Sequence, residues 1–121
     1  RRGLPITAST TWLHVLLNTQ AVGTYDPSLN LSPPLGTPTD QAALLQAVED
    51  GIIDAIAIDH TPHTYEDKTV AFAEAPPGAI GLELALPLLW QALVTPDLWS
   101  PQTLLRALST APAHCLAQTP P

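Results

Sequence analysis

The stretch from Ile52 to Ile58, IIDAIAI, constrains the fold of this 121-residue chain more than any other segment. It is apolar at every position except Asp54, so both faces of a strand formed here are apolar. Such a strand is typical of a parallel sheet covered on both sides, because a strand with one wet face alternates apolar and polar residues. The segment therefore predicts an α/β fold with a buried parallel sheet.

Helix and strand signals alternate on both sides of this strand. A short strand is predicted over Leu4–Ser9, followed by a helix over Trp12–Asn18 that Thr10 or Thr11 caps. The other predicted elements are a helix that Thr37 caps, Pro38 opens and Gly51 ends, a loop from Asp59 to about Ala79, and helices over residues 80–94, 101–108 and 111–117. A closed (β/α)₈ barrel takes about 250 residues. Residues 1–121 are therefore expected to hold two or three β/α units plus C-terminal helices.

The charge balance limits the classes of partner. Acidic residues outnumber Lys and Arg by 11 to 4, the net charge is -7, and no Lys/Arg cluster is present. Nucleic acids and anionic membranes are therefore not expected as partners. The single cysteine, Cys115, cannot form an internal disulfide, and the longest apolar stretch is too interrupted to span a bilayer. These features predict a cytoplasmic protein, and the absence of an initiator Met suggests a fragment or a processed piece.

The residue types that carry chemistry are concentrated directly after the best strand, in the block Asp59-His60-Thr61-Pro62-His63. In parallel α/β folds, catalytic residues collect at the carboxyl ends of the strands. Asp59 suits a metal ligand or a general base there, and the two histidines add ligands or proton carriers near neutral pH. A polar loop with exposed histidines explains the same pattern equally well, so the block alone leaves both interpretations open.

Longer motifs around this block point to a family. They are IAIDHTPH over residues 56–63, EDK over 66–68, FAEAPPGAIGLE over 72–83, and the flanking YD at 25–26, NLSPPL at 30–35 and STAPA at 109–113. Together they resemble the dihydroorotases, within the wider cyclic amidohydrolase group that includes allantoinases and hydantoinases. The resemblance covers nearly the whole chain.

This resemblance implies the C-terminal portion of a metal-dependent, TIM-type (β/α)₈ barrel that interconverts dihydroorotate and N-carbamoyl-aspartate in pyrimidine biosynthesis. It implies that zinc polarises the amide carbonyl and activates water, while Asp59 contacts the metal and shuttles the proton. It further implies that His63 binds the substrate carboxylate and that backbone groups of Pro77 and Gly78 contact the substrate ring. The position of Ser32 corresponds to another substrate contact.

Three positions depart from the family pattern. Leu13 stands where the family stretch Thr-Pro-His-His-Leu has a metal-binding histidine, and leucine cannot coordinate zinc. Ser32 replaces an asparagine and Gly36 an arginine, so both side chains are shortened. His14 would substitute for Leu13 only if the backbone shifted by one residue; otherwise it is a packing or surface histidine. Since a catalytic zinc takes three protein ligands, the chain by itself is expected to be inactive.

Two functional hypotheses of different class follow. In the first, the chain is the last portion of a dihydroorotase-type hydrolase of a small anionic substrate, completed by the missing N-terminal barrel half or within a homo-oligomer. In the second, it belongs to a catalytically silent protein with an assembly role, for example beside aspartate carbamoyltransferase. The three departures favour the second, and the intact motif with Asp59 and His63 favours the first. A stand-alone α/β module is a third alternative, whose strand edges would need another chain.

The remaining candidates are assigned structural roles. Cys115 beside His114 is expected to pack in a helix and not to act as a nucleophile with its base. Lys68 is a loop cation without a phosphate-binding glycine pattern. The three tryptophans are widely separated among apolar neighbours and are expected to pack in or around the core.

Overall fold

The computed structural model describes residues 3–120. Strand β1 (Ser9–Thr11) and strand β2 (Ala55–Ala57) form a two-stranded parallel sheet, with Ser9 opposite Ala55 and Thr11 opposite Ala57. The parallel pairing is confirmed, but both strands are shorter than predicted. The first prediction was largely wrong, since β1 begins at Ser9 instead of Leu4. The second strand loses its first residues because the Asp54 carboxylate accepts the Ala8 N–H at 2.9 Å, which fixes the entry to the sheet.

Two helices lie between the strands in sequence. Helix α1 (Trp12–Leu16) follows β1 directly, and helix α2 (Pro38–Glu49) begins with a capping box. The Thr37 hydroxyl accepts the Asp40 N–H at 3.2 Å, and the Asp40 carboxylate accepts the Thr37 N–H at 2.8 Å. Gly51 follows the helix at a φ of +69°, a left-handed conformation that glycine adopts without strain. The predicted start and end of this helix are confirmed.

The segment after β2 is more structured than the predicted loop. It contains the four-residue helix α3 (Tyr65–Lys68) and a 3₁₀ turn over Phe72–Glu74. Helix α3 also begins with a capping box, in which Thr64 and Asp67 exchange hydrogen bonds. A single helical turn buries no apolar stripe, so the hydrophobic periodicity contained no signal for it.

The C-terminal helices depart from their predicted bounds. Helix α4 (Ala85–Leu89) begins five residues later than predicted, after a turn over 81–84, and continues as a π-helical turn over Trp90–Val94. Helix α5 (Pro101–Leu105), a π-helical turn over Arg106–Thr110 and helix α6 (Ala111–Cys115) follow one another without a break. The two separate helices predicted here are thus one helical segment, in which a proline is accommodated where the π turn gives way to α6.

The helices cover the sheet and enclose one core. Helix α1 packs on α2 and α4, while the helical segment over 106–115 packs on β2. The buried apolar side chains are Trp12, Leu13, Val15, Val48, Ile56, Ala85, Leu89, Leu93, Val94, Trp99, Leu104 and Ala107. The outer face of α4 remains exposed, and no further strand pairs with β1 or β2 within residues 3–120. No helix in the described part of the chain has the length and apolar character needed to cross a bilayer.

Candidate functional site

A cavity of about 140 Å³ lies at the end where β1 and β2 run into their following segments. One side of it is formed by Leu13 and His14 of α1, and the other by the residues after β2 and by the 77–79 segment. The predicted site residues Asp59, Ser32, Pro77 and Gly78 all line this cavity, although they are far apart in sequence.

Asp59 directly follows the last apolar residue after β2 and is exposed at the cavity. Its φ of +50° is left-handed, a conformation that is uncommon for residues other than glycine but tolerated by aspartate. The Asp59 backbone carbonyl accepts a long 3.5 Å hydrogen bond from the Thr61 hydroxyl. Within residues 3–120 the Asp59 carboxylate has no hydrogen bond or ion pair. Both of its oxygens therefore remain available to a ligand.

Gly78 occupies a position that no side chain fits. Its φ is +129°, and a Cβ added there would lie 2.7 Å from the Thr61 Cβ and 3.2 Å from the His63 Nε2. The Gly78 N–H donates to the Asn30 carbonyl at 2.9 Å. This N–H is thus already used within the chain, which leaves the Gly78 Cα and the Pro77 ring as the surfaces offered to the cavity.

His63 lies on the other side of this segment. It does not line the cavity with Asp59 but a neighbouring pocket of about 210 Å³, which it shares with Lys68 and Gly78. Its Nε2 is 3.1 Å from the Pro77 carbonyl, and because a carbonyl only accepts, Nε2 must carry a proton and donate. Only Nδ1 is then left for a ligand. It can donate to a carboxylate only when the ring is the doubly protonated imidazolium.

Lys68 is a residue of this region whose role the sequence did not reveal. Its ammonium donates to the carbonyls of Pro27 at 3.2 Å, Pro76 at 2.8 Å and Gly78 at 2.8 Å. Desolvation by the surrounding chain lowers the pKa of Lys68 from its usual value, while the nearby carboxylates of Asp26 and Asp67 act in the opposite direction. No motif marks this role, because the three acceptors are backbone atoms.

The α1 side of the cavity is lined by Leu13 and His14. Leu13 is buried and presents an apolar side chain, at the position where the sequence resemblance implies a metal ligand. His14, also buried, has both ring nitrogens engaged: Nε2 donates to the carbonyls of Pro33 and Pro34, each at 3.1 Å. Its Nδ1 consequently accepts from the Thr11 hydroxyl at 2.6 Å. His14 therefore does not replace Leu13 as a ligand, and its interpretation as a packing histidine holds.

The described residues do not by themselves fit a catalytic metal. Within residues 3–120 no three His, Cys, Asp or Glu side chains lie close enough together to hold one. Among the side chains that line the cavity, Asp59 has carboxylate oxygens that could coordinate a metal. Leu13 has no such atom, and both ring nitrogens of His14 are hydrogen-bonded within the chain. Catalytic zinc takes three protein ligands, and the described residues do not bring three candidate ligands together.

The position of Gly36 has no room for a larger side chain. A Cβ at Gly36 would lie 2.8 Å from the Cβ of Asp40, the residue that forms the capping box of α2. Any larger residue would thus displace the start of that helix. The other departure, Ser32, lines the cavity with a short side chain.

The remaining candidates have structural positions. The His60 Nδ1 accepts the N–H groups of Gly81 at 3.1 Å and Leu82 at 3.3 Å, and so fixes the turn before α4. Cys115 faces the two strands and not the cavity with Asp59. Trp12 and Trp99 are buried in the core as predicted.

Comparison with known proteins identifies relatives of this chain. No protein-family model matches it. It is 52% identical over 123 residues to a probable dihydroorotase-like protein from Synechocystis, and the match covers 95% of this chain and 28% of that protein. It is 43% identical over 119 residues to the dihydroorotase of Mycobacterium tuberculosis, covering 98% of this chain and 27% of that protein. The chain thus spans little more than a quarter of the curated relatives it matches.

The fold has a clear counterpart among solved structures. The L-hydantoinase (dihydropyrimidinase) from Arthrobacter aurescens superimposes with a TM-score of 0.88 at 24% identity, covering 96% of this chain and 26% of that enzyme. The hydantoinases and dihydroorotases are amidohydrolases with a TIM-barrel fold, so the predicted α/β class and partial barrel are confirmed. In sequence this chain corresponds to about a quarter of the length of its dihydroorotase relatives, and in fold it corresponds to a segment of a hydantoinase barrel.

Proposed function

We propose that this chain supplies the Asp59 side of the active site in a dihydroorotase-like hydrolase, which converts dihydroorotate reversibly to N-carbamoyl-aspartate in pyrimidine biosynthesis. The observation that carries the proposal is the free carboxylate of Asp59, held in a left-handed turn at the carboxyl end of β2. Residues 1–121 would then be a partial barrel domain that is inactive alone, because its described residues do not bring together the three ligands that a catalytic zinc takes.

Each residue of the cavity has a role in this proposal. The Asp59 carboxylate takes a proton from the water that attacks the ring carbonyl carbon, and returns it to the ring nitrogen as the C–N bond breaks. Pro77, Gly78 and Ser32 form the surface against which the substrate ring lies. His63 lies in the neighbouring pocket, which Gly78 also lines, and we assign the substrate carboxylate to its Nδ1 while its Nε2 remains on the Pro77 carbonyl.

Zinc is the cofactor that this proposal assigns to the complete protein. When bound, it supplies a Lewis acid for the ring carbonyl and lowers the pKa of a bound water. From this chain, Asp59 is the residue that would contact it, and the other ligands would lie outside the described residues. Residues 3–120 therefore contribute substrate contacts and the proton carrier, but no complete metal site.

The proposed partners follow from the open surfaces of the structure. Apolar side chains on the outer face of α4, namely Leu86, Leu88 and Trp90, are between 36% and 46% exposed, and both strands have an open edge within the described chain. We propose that the rest of the barrel covers these surfaces, with a homo-oligomer or aspartate carbamoyltransferase as further partners. The proposed location is the cytoplasm.

A second candidate function is that of a catalytically silent, dihydroorotase-like assembly protein. The observation that favours it is the α1 side of the cavity, where Leu13 replaces a ligand and both nitrogens of His14 are engaged. In that case the protein has the cavity but does not catalyse hydrolysis.

The deciding experiment uses the full-length protein that contains this chain. Zinc content and dihydroorotate hydrolysis are measured for the wild type, Asp59→Asn and the control Asp97→Asn. Asp97 is also exposed and also left-handed, with a φ of +59°, so it controls for the effect of the substitution on the turn. We expect turnover to fall by about 10²–10⁴-fold in Asp59→Asn only. Folded wild-type protein without zinc or turnover would instead establish the silent function.

A further inference from the structure

Lys68 is the only lysine in the chain, and its ammonium lies where two separate segments meet. One segment contributes the Pro27 carbonyl, and the other contributes the carbonyls of Pro76 and Gly78. An ammonium has three donor hydrogens and no acceptor, so these three carbonyls use its full hydrogen-bonding capacity. Lys68 is half-buried and does not line the cavity with Asp59, so it is not placed to bind an anion there.

The segment over 75–78 depends on side-chain donors of this kind. Two of its four residues, Pro76 and Pro77, have no N–H, so the segment is held chiefly through its carbonyl oxygens. The Ala75 carbonyl accepts from the Asn30 amide at 2.8 Å, and the Pro77 carbonyl accepts from His63 at 3.1 Å. The ammonium of Lys68 holds the remaining two carbonyls, those of Pro76 and Gly78.

We propose that Lys68 is a positioning residue: it holds the 75–78 segment in the shape that presents Pro77 and Gly78 to the ligand in the cavity. The inference rests on the proposed function in one respect, namely that the ligand is a cyclic amide substrate. Lys68 lines the pocket that contains His63, but all three hydrogens of its ammonium are donated to carbonyls, so we assign it no contact with the substrate. It acts through the carbonyls of Pro76 and Gly78. Without these two hydrogen bonds, the segment would be free to move away from Thr61 and from the cavity.

An ammonium is the group that fits this position. The three acceptors converge on one nitrogen from two segments, and the rotating N–H donors of an ammonium can reach all three. A planar guanidinium spreads its donors over three nitrogens and matches this arrangement only in part. A neutral amine has two donors, so loss of the proton would release one carbonyl. Desolvation lowers the pKa of Lys68, and the carboxylates of Asp26 and Asp67 oppose this shift in part.

The test compares Lys68→Met, Lys68→Arg and the control Arg106→Met in the full-length protein. Arg106 is exposed, and its replacement removes the same charge without touching the segment. Hydrogen exchange of the Gly78 and Ala79 amides is followed by mass spectrometry. We expect it to be about tenfold faster in Lys68→Met, intermediate in Lys68→Arg and unchanged in Arg106→Met. Acceleration spread evenly over the whole protein would indicate a general stability role and overturn the proposal, as would unchanged exchange.

Steady-state kinetics with dihydroorotate provide the second measurement. We expect KM to rise about tenfold in Lys68→Met with kcat changed less than about threefold, because the segment binds the substrate but does not take part in the proton transfer. Faster exchange with an unchanged KM would overturn the positioning role. A third outcome separates the two proposals. If Lys68→Met accelerates exchange locally but the wild-type protein shows no turnover, the proposed function is refuted, while Lys68 is still the residue that holds the segment.

Discussion

The two sides of the cavity differ in the chemical groups that they present to a ligand. The loop wall contains Asp59 with Pro77 and Gly78 of the 75–78 segment, and the helix wall contains Leu13 and His14. Each wall fixes a Pro-Pro pair by the same physical means. His14 donates to the carbonyls of residues 33 and 34, while Lys68 and His63 donate to the carbonyls of residues 76 and 77. A Pro-Pro pair has no N–H of its own, so donors from elsewhere must hold it through its carbonyls.

The difference lies in the residue that each wall presents to the cavity. The loop wall presents a free carboxylate at Asp59, while the helix wall presents the apolar side chain of Leu13, which is also part of the core. The hydrogen bonds that shape the walls are thus separable from the groups that perform chemistry. Leu13 offers no polar group to the cavity, yet His14 beside it holds its Pro-Pro pair.

The largest effect on stability is expected when the loop wall is disturbed at Gly78. In Gly78→Ala, the new Cβ would meet the Thr61 side chain at 2.7 Å, and alanine would have to adopt a φ of +129°. We expect the free energy of unfolding to fall by about 2–4 kcal/mol, measured by urea denaturation of the full-length protein.

The matched control for this change is Gly23→Ala, since a Cβ at Gly23 meets nothing within 4 Å and its φ is not left-handed. Its free energy of unfolding should stay within about 1 kcal/mol of the wild type. Equal losses in the two variants would show that the 75–78 segment is not held against Thr61 as the structure describes.

A smaller loss is expected when the helix wall is disturbed at His14. In His14→Leu, the carbonyls of Pro33 and Pro34 and the Thr11 hydroxyl lose their partner in a half-buried region. We expect unfolding to become easier by about 1–3 kcal/mol, measured as a shift of the urea midpoint. The control is His114→Leu at an exposed position of α6, which should leave the midpoint nearly unchanged. A midpoint for His14→Leu as high as that of the control would mean that these carbonyls are satisfied by water.

The hydrogen bonds of the two walls show which contacts can be predicted from the sequence and which cannot. A local signal predicted the cap at Thr37 correctly, because a capping side chain bonds to a backbone N–H three residues away. Thr11 does precede α1, but its hydroxyl bonds to His14 and caps no backbone N–H. The contacts of His14 and Lys68 were missed because their backbone acceptors include some about 20 and 40 residues away, and a carbonyl leaves no mark in the sequence. The strand from Ile52 was predicted too long since the pairing of Asp54 with Ala8 is likewise non-local.

The position of the site was predictable for a different reason than its shape. Asp59 was predicted as a site residue because it follows a strongly apolar strand, and the carboxyl end of such a strand is where catalytic residues collect in parallel folds. Its role stays a prediction. The separation of His63 from Asp59 was not predictable, since it arises from the way the 75–78 segment passes between two pockets. Whether His63 binds the substrate stays a prediction.

The smallest effects concern the two capping boxes, one behind each wall. Hydrogen bonds from the side chain and backbone of Thr37 lower the pKa of Asp40, and those of Thr64 do the same for Asp67. A lowered pKa in the folded state means that the carboxylate stabilises the fold fully above the usual aspartate pKa of about 3.9. This contribution is lost as the pH falls through the lower folded value.

Helix α2, behind the helix wall, packs on α1, whereas α3 behind the loop wall buries no side chain. We therefore expect Asp40→Ala to lower the urea midpoint at pH 7 and Asp67→Ala to lower it less. Both differences from the wild type should shrink as the pH falls below about 3.9, since the unfolded chain then binds protons at these carboxylates more readily than the folded chain does. A difference for Asp40→Ala that stays constant down to pH 3 would show that the lost stability comes from the aspartate's packing beside Gly36 and not from its charged hydrogen bonds.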